Sequence, residues 1–84
     1  MTRILVLNPN SSESVTAAMD AALAPTRLPG GPEIVCATLA EGPPGIETQA
    51  HVEGVTIPTA RYFETHDADA YVIGCFSDPG LHLA

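Results

Sequence analysis

Three short runs of apolar residues punctuate the chain without polar alternation: Ile4-Leu5-Val6-Leu7, Ile34-Val35-Cys36-Ala37 and Ala70 to Gly74. Unbroken runs of this length predict strands covered on both faces. Between the first two, Val15, Ala18, Met19, Ala22 and Leu23 recur at i, i+3, i+4, i+7 and i+8, one apolar stripe of a helix. Asn10 and Glu13 have capping-box spacing at its start, with Asn in place of Ser or Thr, and Pro25 ends it. Between the second and third runs, Ile46 to Glu53 reads as helical and Gly54 interrupts. Pro58 then opens a second helical piece carrying Ala60, Tyr62 and Phe63. Arg27 to Pro32 and Glu41 to Gly45 are loops by composition.

The order β-α-β-α-β with buried-type strands predicts an α/β fold, a parallel sheet layered between helices and joined by right-handed crossovers. With strand order 2-1-3, a switch point lies between the carboxyl ends of strands one and three, where open α/β sheets bind ligands. Two loops meet there: Asn8-Pro9-Asn10-Ser11-Ser12 and Cys75-Phe76-Ser77-Asp78-Pro79-Gly80.

Composition narrows the classes of partner. Three basic residues against ten acidic give a net charge of −7, which disfavours nucleic acid and anionic membrane surfaces. At 84 residues the chain is one small domain at most, and 45% apolar content is normal for a globular protein. Cys36 and Cys75 form neither a CxxC pair nor a disulfide framework, so free thiols in a reducing compartment are expected. The apolar run after Met1 is too short for a signal peptide, and cytoplasmic residence follows as the default.

Few residues carry chemistry. Cys75 closes a strand just before Asp78-Pro79, a helix-start signal, and a thiol at a helix amino terminus has its thiolate stabilised. The plainer reading of Cys75 is a small core hydrophobe. Cys36, inside an apolar run, reads as core filling. The Asn8–Ser12 loop offers carboxamides, hydroxyls and helix-start N–H groups suited to a carboxylate or an imide, or it only caps the helix. His51, His66 and His82 lack zinc-site spacing with either cysteine, so no metal is expected, and neither a nucleotide fingerprint nor a nucleophile elbow is present.

Three stretches together resemble the amino-terminal part of the aspartate/glutamate/hydantoin racemase superfamily, the hydantoin and allantoin branch above all. They are Ile4 to Ser11, Gly42-Pro43-Pro44-Gly45-Ile46-Glu47 and Gly74-Cys75-Phe76-Ser77-Asp78-Pro79-Gly80-Leu81. The resemblance implies two facing flavodoxin-like α/β lobes, each lending one cysteine to a cleft between them. It implies no cofactor, a small-molecule substrate (hydantoin, allantoin or an amino acid) and a homo-oligomeric parent. One thiolate removes the proton from the stereocentre and the opposite thiol returns one. Cys75 matches the first catalytic cysteine, with Asn8, Asn10, Ser11, Phe76 and Ser77 around the substrate. Residues 1–84 are then an incomplete first lobe that stops after the third strand, with the second lobe absent. A sibling isomerase or decarboxylase, in which one cysteine suffices, is the alternative within the superfamily. A non-catalytic α/β binding module is the alternative outside it.

Overall fold

The computed structural model describes residues 2–75. In chain order these form β1 (Arg3–Asn8), α1 (Glu13–Leu23), a 3-10 turn (Ala24–Thr26), β2 (Glu33–Thr38), α2 (Gln49–Gly54), α3 (Thr56–Thr65) and β3 (Ala70–Ile73). The three strands make one parallel sheet in the order β2-β1-β3, as the element pattern predicts. Register pairs Val6 with Cys36 on one side and with Val72 on the other.

The central strand carries the core. Strand pleating sends Leu5 and Leu7 to one face of β1 and Val6 and Asn8 to the other. Leu5 and Leu7 join Leu39, Val55 and Phe63 in one buried cluster, with Ile46, Tyr62, Ala68 and Ile73 packed against it. That face lies under α2 and α3, and each such buried side chain stabilises the fold by about 1.5–3 kcal/mol. Phe63 also meets Tyr71 at a ring separation of 4.7 Å, and the Tyr71 hydroxyl donates to the His66 carbonyl at 2.9 Å. These contacts fix how α3 turns back into β3.

α1 covers the opposite face, in a different rotation from the one its apolar spacing implies. Thr16 is the buried residue, Met19 and Leu23 are half-buried, and Val15, Ala18 and Ala22 are exposed. The physical reason is a polar contact: Thr16 Oγ1 lies 2.6 Å from Thr38 Oγ1 on β2, which holds that side of the helix against the sheet. The cap differs as well. Ser12, not Asn10, is the N-cap, its side chain accepting from the Val15 amide at 3.4 Å. The Asn10 side chain instead accepts from the Ser12 amide at 2.9 Å, an Asx turn that leads into the helix.

Two other boundaries move. α2 begins at Gln49 behind a Thr48 cap, so residues 46–48 remain in the loop, and α3 starts at Thr56, two residues before Pro58. Among the strands, full burial is confined to β1: β2 and β3 are the edges of the sheet, β3 being largely exposed and β2 no more than half-buried, so only the central strand is covered on both faces as expected. The outer edge of β2 is guarded by Arg27, whose guanidinium pairs with Asp20 and donates to the Ile34 carbonyl at 3.0 Å. Covering an edge carbonyl with a charged side chain discourages strand-to-strand association.

Candidate functional site

Parallel pairing brings the carboxyl ends of all three strands to one edge of the sheet. Asn8 ends β1, Thr38 ends β2, and Gly74-Cys75 follows β3. The Gly74 amide donates to the Leu7 carbonyl at 2.8 Å, which carries the ladder one step past the strand. Asn8 and Cys75 therefore stand at the same end of neighbouring strands. That is where the switch point of a 2-1-3 sheet lies.

Asn8 is 1% exposed, and its carboxamide organises the loop that follows it. Its NH₂ group donates towards Asn10 Oδ1 at 2.7 Å, and towards Thr16 Oγ1 and the Ser12 carbonyl at 3.1 Å each. Its Oδ1 accepts from the Asn10 amide at 3.3 Å. Thr16 continues the network to Thr38, so one buried amide ties together the end of β1, the first turn of α1 and the end of β2. Satisfied buried networks of this kind rigidify what they hold. Asn10 and Ser11 lie half-buried beside it.

A second loop locks against the first. The Ser11 amide donates to the Pro43 carbonyl at 2.8 Å, and the Gly42 amide to the Leu39 carbonyl at 2.9 Å. Gly42 is required by the closeness of this approach: a Cβ there would collide with the Pro9 carbonyl oxygen and sit 3.1 Å from both Asn10 Cα and the Leu39 oxygen. Outward from this junction, a cleft of about 320 Å³ opens between the Gly42-Pro43 loop and α2, with Glu41 and His51 in its walls and Val55 among its lining.

The two cysteines occupy different settings. Cys36 lies mid-strand in β2, paired with Val6 and so on the α1 face. Burial pushes its thiol above the ordinary value, and the Asp20 carboxylate adds to this against a smaller opposing effect of Arg27. Less thiolate is then present at neutral pH. Cys75, also half-buried, lies past the strand end at the loop junction. Under native conditions iodoacetamide is expected to label Cys75 of the full-length protein several-fold faster than Cys36, read by peptide mass spectrometry. Faster labelling of Cys36 would overturn the assignment of the reactive thiol.

Of the residues singled out from the sequence, Asn8, Asn10, Ser11 and Cys75 come together at one edge. Phe76 and Ser77 lie outside the described residues, as does the Asp78-Pro79 helix start. Sequence reasoning passed over Thr16, Thr38 and the Gly42-Pro43 contact, because each works through a partner distant along the chain. His51, which lacks metal-site spacing, is a capping residue: Thr48 Oγ1 accepts from the His51 amide, and His51 Nδ1 accepts from the Glu47 amide. Among the described residues no cluster of three or more His, Cys, Asp or Glu is placed to hold a metal, and no helix is long and apolar enough to cross a membrane.

Comparison with known proteins gives the arrangement a context. A family model described as Asp/Glu/Hydantoin racemase matches residues 4–84. A Hydantoin racemase of Rhizobium meliloti is 37% identical over 86 residues, covering 96% of this chain and 34% of the relative. A Hydantoin racemase of Pseudomonas sp. (strain NS671) is 34% identical over 86 residues, covering 98% of this chain and 34% of the relative. The chain thus spans about a third of the length of these curated relatives. No solved structure matches it significantly.

Proposed function

We propose, for a chain that belongs to the Asp/Glu/Hydantoin racemase family, the role of the amino-terminal part of a cofactor-independent racemase. Its substrate is a small molecule with an acidic C–H beside a carbonyl: a hydantoin, allantoin or an amino acid. The observation that carries this reading is the juxtaposition of Cys75 with the Asn8–Ser12 loop at the carboxyl edge of the sheet, in a chain matched to that family almost end to end.

The chemistry needs two groups and a rigid frame. As thiolate, Cys75 takes the proton from one face of the stereocentre. The C–H bond breaks and its electron pair moves into the neighbouring carbonyl as an enolate. A second thiol, on the other face, then delivers a proton to carbon. Hydrogen-bond donors aimed at the developing oxyanion lower the barrier further, and Asn10 and the Ser11 hydroxyl are the candidates in this chain. Asn8 acts one step back, as the residue that fixes the geometry of that loop, and the family resemblance implies substrate contacts for Phe76 and Ser77.

The test is racemisation of enantiopure 5-substituted hydantoins, allantoin and aspartate by the full-length protein, followed as loss of optical rotation. Turnover of at least one is expected; none with any of the three would sink the reading. Residues 1–84 expressed alone are expected to give no turnover above buffer. Acid and base are required on opposite faces of the substrate, and Cys36 lies under α1 rather than across from Cys75.

A further inference from the structure

The cleft between the Gly42-Pro43 loop and α2 is tied to the site without belonging to the residues already assigned. Its Pro43 wall is the residue whose carbonyl holds the Ser11 amide. Val55 in its lining belongs to the same core as Leu7 and Leu39, against which Ile73 packs just before Gly74 and Cys75. The cleft therefore shares supports with both loops of the candidate site.

One side chain in it has a fixed hydrogen-bonding sense. His51 Nδ1 accepts from the Glu47 amide at 3.1 Å, and a backbone N–H can only donate. The neutral ring must then carry its proton on Nε2, the nitrogen that α2 leaves unused. Glu41, the other polar side chain of the cleft, has the opposite preference: its carboxylate accepts hydrogen bonds and repels anions. The three arginines stand outside its lining. Arg3 pairs with Glu33 where β1 and β2 begin, Arg27 pairs with Asp20, and Arg61 is exposed on α3. An anionic group entering the cleft would meet Glu41, and no arginine is among the lining residues to offset it. A neutral group offering one C=O and one N–H would find a partner for each.

We infer that this cleft is a specificity subsite for the neutral amide or ureide edge of a ligand, with His51 Nε2–H as donor to its carbonyl and Glu41 as acceptor for its N–H. The identity of the ligand rests on the racemase reading; the preference for a neutral donor–acceptor edge rests on the cleft itself. His51 acts here on binding and selection and not on the stereocentre.

His51 also caps α2, so the variants must separate the two roles. His51→Gln keeps both an acceptor for the Glu47 amide and an N–H donor for the cleft. His51→Glu keeps the acceptor, as in a capping box, but replaces the donor with a negative charge. The probe is unsubstituted hydantoin, achiral and so free of turnover, titrated calorimetrically into the full-length protein and both variants. KM and kcat for an enantiopure 5-substituted hydantoin are measured in parallel. His51→Gln is expected to bind hydantoin within about threefold of the unmodified protein. His51→Glu should lose about tenfold or more in affinity and in KM, with kcat within about threefold and an unchanged unfolding temperature. Equal binding by His51→Glu, or no binding of hydantoin by the unmodified protein, would overturn the subsite. Loss of binding in His51→Glu alone, in a protein that racemises nothing, would keep the subsite and remove the racemase reading.

Discussion

Serine in place of Cys75 in the full-length protein is expected to lower racemisation by about a hundred- to ten-thousandfold, the range that one positioned acid or base contributes. The side chains are close in size, and Cys75 is only half-buried, so the unfolding temperature should move by no more than about 4 °C. The loss is chemical: an alcohol is a far weaker acid than a thiol, and its conjugate base is scarcely populated at neutral pH. A two-base mechanism makes a sharper statement than loss of rate. With Cys75 disabled, the opposite thiol still removes the proton from one enantiomer and can return a solvent proton to the same face. In deuterium oxide, Cys75→Ser should exchange that enantiomer without inverting it and leave the other untouched. Exchange of both enantiomers, or full racemisation, would remove Cys75 from the chemistry. The same substitution at Cys36 should leave kcat within about threefold, because that thiol lies mid-strand beneath α1.

Sheet and strand order could be read from the sequence because β1 is apolar on both faces and no other arrangement buries it. The limits of that reading are physical. An apolar stripe says which residues a helix would bury if apolar contact were the sole criterion. α1 turns Thr16 inward, where its hydroxyl meets both Thr38 Oγ1 and the Asn8 amide; facing Val15 or Ala18 there instead would give up those contacts. The capping error at Asn10 has a similar root. Asn8, Asn10 and Ser12 all suit a cap by type, and only the fold decides that Asn8 is buried, Asn10 makes the turn and Ser12 caps. Within the candidate site, the placement of Cys75 beside the Asn8 loop follows from topology and was legible. The Gly42-Pro43 buttress was not, since its partners lie some thirty residues earlier in the chain and no local pattern announces them.

That buttress makes Gly42→Ala the most informative substitution outside the chemistry. The added methyl meets the Pro9 carbonyl oxygen, Asn10 Cα and the Leu39 carbonyl oxygen, and all three are backbone atoms. A flexible side chain could swing aside, as the tip of Met19 could for a methyl on Gly74, but here one of the two loops must move as a unit. Parting them stretches the Ser11-to-Pro43 hydrogen bond and shifts the loop that Asn8 holds in place. Overpacking of this sort costs about 1–3 kcal/mol of stability. A displacement of about 1 Å in groups that position a substrate costs about a hundredfold in rate. Gly42→Ala in the full-length protein is thus expected to lower both the unfolding temperature and kcat/KM. Gly54→Ala supplies the contrast. A methyl at the last residue of α2 meets nothing within 4 Å, and alanine favours helix over glycine, so stability should hold or rise by about 0.4–1 kcal/mol. Thermal unfolding and steady-state kinetics on the two variants decide the matter. A Gly42→Ala protein as stable and as active as the unmodified one would mean that the loops are not locked, and that the frame proposed for the substrate at Asn10 and Ser11 is not rigid.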